Sequence, residues 1–145
     1  MNIYCLPEFV TEFDKLIKNN SYSFIETEII KSYFNISFEE AKKGHVLNAS
    51  QQAPFIKRRL KGSGGARLYL TAILKDEDIY LAFVHPKSGS AGYENINDGK
   101  KSQLQKDVLD SILTKDFYKV SVNGKSLSFT PFKNIKEEVE TELGE

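Results

Sequence analysis

Hydrophobic positions change period several times along the chain, and each change marks an element. Ile3 to Leu6 is a short apolar run ending at Pro7, as expected of a first strand. Pro7 suits the first turn of a helix, where its missing N–H costs nothing. Phe9, Phe13, Leu16 and Ile17 then follow at helical spacing until Asn19-Asn20 stops the pattern. Ser23 with Glu26 has the spacing of a capping box, and Ile25, Ile29, Ile30 and Tyr33 form the buried stripe of a second predicted helix. Ser37 with Glu40 repeats that spacing ahead of a short third helix ending at Gly44. His45 to Pro54 is polar and without period, and reads as a loop.

From Phe55 to Tyr93 the period becomes that of strands. Three are predicted: one carrying Lys57, Arg58, Arg59 and Lys61, one opening with Arg67 and Tyr69 after Gly62-Ser63-Gly64-Gly65, and one ending at His85, Pro86 and Lys87. Side chains alternate across a strand, so Lys57, Arg59 and Lys61 share one face, opposite Ile56 and Leu60. Burying Leu60 against Leu68 pairs Lys61 with Arg67, Arg59 with Tyr69 and Lys57 with Thr71, and puts Lys57, Arg59 and Arg67 on one exposed, concave face. Arg58 falls on the apolar side and is expected to snorkel outward. On the third strand Ile79, Leu81 and Phe83 alternate with Tyr80, Ala82 and Val84; both sets are apolar, which suits a strand covered on both sides. A helix is predicted over about Asp98 to Leu113, with Leu104, Val108 and Ile112 one turn apart. Tyr118–Val122, Asn123-Gly124 and Ser126–Phe129 read as a hairpin with a type I′ turn. Ile135, Val139 and Leu143 recur every fourth residue, the pattern of an amphipathic helix.

Composition bounds this picture. With 145 residues, 40% of them hydrophobic, the chain can build one core, here assigned to residues 1–132, with residues 133–145 as an acidic tail. The formal net charge is zero but unevenly spread. Between Ala41 and Lys75 there are Lys42, Lys43, Lys57, Arg58, Arg59, Lys61, Arg67 and Lys75, and no Asp or Glu. In the tail, Lys133 and Lys136 stand against Glu137, Glu138, Glu140, Glu142 and Glu145, a net charge of −3 that leaves +3 on the rest. A basic patch of this kind points to a polyanion. Cys5 is the only cysteine, which excludes an internal disulfide. His45 and His85 have no ligand-spaced partners, so neither a metal nor another cofactor is expected. No apolar run approaches a membrane span and no signal-peptide pattern opens the chain, so a cytoplasmic location without membrane contact is the expectation.

The central stretch carries a resemblance. FIKRRLKGSGGARLYLTAIL followed by IYLAFVHPKSGSAGYENI resembles the basic strand, Gly-x-Arg strand, last core strand and following tyrosine region of RelE/HigB-like toxins of type II toxin–antitoxin modules. The likeness spans roughly Ile3 to Leu113. It implies an α+β fold: a small antiparallel (mixed) sheet with two N-terminal helices packed on one face and a C-terminal helix. It also implies ribosome-dependent cleavage of messenger RNA, a cognate antitoxin as partner, and Lys57, Arg59, Arg67, Lys87 and Tyr93 as the functional residues. ParE-like relatives imply a different class, a noncatalytic inhibitor that binds DNA gyrase; a degenerate toxin acting as a repressor subunit is a third.

Metal-free RNA cleavage needs a base for the 2′-OH, cations for the phosphorane and an acid for the leaving 5′-oxygen. Arg59 and Arg67 suit the second role, because guanidinium forks match phosphate oxygens. Lys57 serves as base if neighbouring cations lower its pKa. Tyr93 is placed to stack on a base or to activate the 2′-OH. His85 and Lys87 are the candidate acids. Arg58, Lys61 and Tyr69 complete the candidate RNA-binding surface, with Lys42 and Lys43 as peripheral phosphate contacts or a solvated helix end.

Overall fold

The computed structural model of the protein describes residues 1–62, 64–87 and 96–133. Tyr93 and the Ile135, Val139 and Leu143 pattern of the tail lie outside them. In chain order the elements are β1 (Asn2–Cys5), α1 (Pro7–Ile17), a 3₁₀ turn (Asn20–Tyr22), α2 (Phe24–Tyr33), α3 (Phe38–Ala41), β2 (His45–Val46), β3 (Phe55–Leu60), β4 (Ala66–Ile73), β5 (Asp78–Pro86), α4 (Asp98–Thr114), β6 (Tyr118–Asn123) and β7 (Ser126–Pro131). The described strands form one seven-stranded sheet in the order β2-β3-β4-β5-β1-β6-β7. β1 runs parallel to β5 and the other neighbours are antiparallel, so the fold is α+β with a mixed, mostly antiparallel sheet.

Two cores flank the sheet. One joins Phe9, Phe13 and Leu16 of α1, Ile25, Ile29 and Tyr33 of α2, and Phe38 and Ala41 of α3 to Ile56, Leu60, Leu68 and Leu70. The other joins Leu104 and Val108 of α4 to Phe55, Tyr69, Tyr80, Phe83 and Phe117. Each large apolar side chain so buried contributes roughly 1.5–3 kcal/mol relative to exposure. Pro7 opens α1 as its spacing requires, and Asn97 caps α4 by accepting from the Lys100 amide at 2.8 Å.

Several expectations are corrected. The Ser23–Glu26 capping box does not form. Ser23 is itself in helical conformation and donates its hydroxyl to the Asn20 carbonyl, while Glu26 accepts the Leu127 amide of β7 at 3.0 Å. The Ser37 cap is made, to the Glu40 amide at 3.2 Å. The polar segment after Gly44 contains a strand, β2, whose His45 and Val46 pair with Lys57 and Ile56. The closing hairpin pairs Asn123 with Ser126, so its turn is Gly124-Lys125. Only Gly124 there has positive φ, +67°, the mark of a type II′ turn in place of I′.

The β3–β4 register differs by two residues from the expected one. Leu60 lies opposite Ala66, Arg59 opposite Arg67 and Lys57 opposite Tyr69. Alternation fixes which residues share a face but leaves two-residue steps open, and the glycine turn decides among them. Gly64 and Gly65 take φ of +76° and +72°, and the Gly65 amide donates to the Gly62 carbonyl at 3.0 Å. On β5 the strict alternation fails. The pairing with β4 shifts between Tyr69 and Leu70, a bulge that puts Ile79, Leu81 and Val84 in one core and Tyr80, Ala82 and Phe83 in the other.

Gly62 packs against the side chain of Phe24, where an added Cβ would lie 2.1 Å from the ring. Gly62→Ala is expected to destabilise the fold by about 1–3 kcal/mol, the usual cost of overpacking, measured by urea unfolding. An unchanged midpoint would show that Phe24 yields freely.

Candidate nucleic-acid interface

The bulge and the register together assemble a basic row. Arg59, Arg67 and His85 lie directly opposite one another across β3, β4 and β5. The next row inward is His45, Lys57, Tyr69 and Phe83 across β2 to β5. Directly opposed residues have Cβ atoms about 4.5–5.5 Å apart and point to one side of the sheet. Lys57, Arg59 and Arg67 therefore share a face, and Leu60, Leu68 and Leu70 are buried on the other side.

That face is not uniformly open, as the sequence pattern implied. Arg59 is exposed and Lys57 half-buried, but Arg67 is only 4% exposed. Arg67 takes part in none of the ion pairs among the described residues, and its Nε has no hydrogen-bond partner there. A buried guanidinium without a counter-charge is costly, and an anion beside it removes that cost.

His85 is 2% exposed, with its ring stacked on Tyr69 at 5.8 Å and tilted against Phe83 at 6.0 Å. Nδ1 lies 2.9 Å from the Pro86 carbonyl, so in the neutral ring it carries the proton and donates it there. Burial pushes the His85 pKa below its ordinary value and the Arg67 charge adds to this, against the Pro86 carbonyl, which favours the imidazolium. A neutral imidazole whose N–H is held by a carbonyl is poorly suited to give a proton to a leaving group.

The remaining candidates are dispersed. Tyr69 is fully buried between Phe55 and His85, so it has no ring face to offer a base. Arg58 is half-buried: it donates to the Glu40 and Ala41 carbonyls at 3.2 and 3.3 Å, lies over the Tyr33 ring, and reaches an open pocket that Arg59 and Lys61 also line. It closes the end of α3, which explains a cation on an apolar face. Lys42 pairs with Glu39 and Lys43 with Glu40 in exposed contacts along α3, the solvated helix end. Lys61 is exposed beyond the end of β3. Lys87 is exposed, and its amide donates to the Gly65 carbonyl at 3.0 Å, which ties the end of β5 to the turn before Arg67.

A residue that the sequence did not single out, His45, lies beside the candidates. It is exposed, and with Gly44, Lys57 and Arg59 it lines an open cavity of about 530 Å³. β2 is two residues long, too short to display alternation, so its only advance signal was Gly44, a residue that permits close backbone approach. Among the described residues no helix is long and apolar enough to cross a membrane. No protein-family model matches the chain, and no curated protein matches it either.

Proposed function

We propose that the protein is a metal-independent endoribonuclease that cleaves messenger RNA at the ribosome, as the toxin of a type II toxin–antitoxin module in the cytoplasm. The observation that carries this reading is Arg67: a buried guanidinium with no ion-pair partner among the described residues, one strand behind an exposed Arg59. A phosphate at Arg59 supplies a counter-charge to Arg67, and guanidinium forks match its oxygens. The resemblance of Phe55–Leu74 and Ile79–Ile96 to RelE/HigB-like toxins supports the same reading. In it, α1 and α2 are the two N-terminal helices and α4 the C-terminal one, and a cognate antitoxin is the protein partner.

The 2′-oxygen attacks the adjacent phosphorus, the bond to the 5′-oxygen breaks, and a 2′,3′-cyclic phosphate and a free 5′-OH result. Arg59 holds the non-bridging oxygens. Arg67 supplies a fixed positive charge from a site shielded from water, where its field is stronger than at the surface. Lys57 takes the proton of the 2′-OH.

Purified protein added to translating ribosomes is expected to cut the messenger RNA, leaving 2′,3′-cyclic phosphate and 5′-OH ends. Intact messenger RNA alongside arrested DNA gyrase would instead establish the noncatalytic class.

A further inference from the structure

The cavity between β2 and β3 brings Lys57 and Arg59, which the resemblance assigns, together with His45, which it does not. It is open to solvent, about 530 Å³ in volume, and lined among the described residues by Gly44, His45, Lys57 and Arg59. His45 and Lys57 are directly opposed in the β2–β3 pair, so both side chains point to the face that carries Arg59.

Gly44 makes this arrangement possible. Its φ is +150°, and a Cβ there would lie 2.5 Å from Ile56 Cγ2 and 2.8 Å from the Lys57 carbonyl oxygen. Any other residue would push the two strands apart, and His45 away from Lys57. A two-residue strand held this closely, opening on an exposed imidazole beside two cations, is a poor choice for packing. His45 is exposed and Val46 is 50% exposed, so β2 buries little.

We infer that this cavity holds the scissile phosphate and that His45 is the catalytic acid. The inference rests on the endoribonuclease reading and deepens it. As the 2′-oxygen bonds to phosphorus and the P–O5′ bond breaks, the electron pair passes to the 5′-oxygen, and the His45 imidazolium gives that oxygen its proton. The proton of the 2′-OH goes to Lys57, and Arg59 neutralises the phosphorane oxygens. His85 is the alternative donor in sequence terms, but it is buried, favoured in its neutral form and engaged to Pro86. His45 is the histidine that reaches the cavity, and histidine is the side chain whose ordinary charge change falls within the physiological range.

The test uses ribosome-bound messenger RNA in two forms, one with an ordinary 5′-oxygen at the cut linkage and one with sulfur in its place. A thiolate leaves without a proton, so the acid becomes dispensable. His45→Gln is expected to cut the oxygen linkage about 10²–10⁴-fold more slowly than the unaltered protein, and the sulfur linkage at close to the unaltered rate. Arg59→Ala is expected to be slow on both, because the phosphorane needs its cation whatever leaves. Urea unfolding of His45→Gln controls for the fold. Equal slowing of His45→Gln on both linkages would overturn the acid role, as would no slowing on either. Failure of the unaltered protein to cut either linkage would overturn the endoribonuclease reading itself.

Discussion

Arg67→Met is expected to make the free protein more stable and the enzyme nearly inert. Arg67 is 4% exposed and forms no ion pair among the described residues. Methionine keeps most of the volume and removes the buried charge. Replacing a whole buried ion pair by apolar side chains of similar size is often neutral or stabilising by about 1–4 kcal/mol, and removing one buried charge should act in the same direction, which urea unfolding reads directly. Cleavage should fall about 10²–10³-fold, the usual loss when one preorganised stabilising group is removed from a transition state. The opposite signs of the two effects make the test sharp. A guanidinium kept for structure would give lower stability and unchanged cleavage when removed.

The second large effect concerns the closing hairpin. The resemblance stops near Leu113, and nothing in it says what β6 and β7 do. In the fold they complete the sheet and the core: β6 pairs with β1, and Phe129 packs edge-on against Phe13 and Phe9 at 5.4 and 6.3 Å. Phe13 in turn stacks on Phe9 at 5.8 Å and is 1% exposed. Phe13→Ala is expected to cost about 3–5 kcal/mol, because three rings lose contact around one cavity. Its counterpart Phe129→Ala should cost less, since Phe129 is only half-buried. If Phe13→Ala unfolds at the same urea concentration as the unaltered protein, the hairpin and α1 do not share a core.

Long elements with a clean period were legible from the chain itself. Pro7 marked the start of α1, Leu104 and Val108 marked the buried side of α4, and alternation placed Lys57, Arg59 and Arg67 on one face. Features set by tertiary contact were not. The two-residue register step leaves every face unchanged and so leaves no trace in the pattern, yet it places Arg59 beside Arg67. The bulge on β5 involves no glycine, and it alone separates Phe83 from Leu81. Glu26 had the spacing of a cap, but an amide 101 positions away took its carboxylate. His45 could not be placed from the chain because its position is set by the residue opposite it, Lys57, and by Gly44 lying against Ile56.

The basic row as an RNA phosphate site can be read in one spectrum. The chain has three arginines, Arg58, Arg59 and Arg67, so arginine-labelled protein gives three Nε–H resonances. Arg58 is the comparison, held by the Glu40 and Ala41 carbonyls. A 2′-O-methyl RNA, which binds but lacks the attacking hydroxyl, is titrated at low salt. Arg59 and Arg67 are expected to shift with one binding curve, Arg59 more than Arg67, while Arg58 stays in place. Movement of Arg58 alone, or no movement of Arg59 and Arg67 at saturating RNA, would contradict the assignment of this face to RNA.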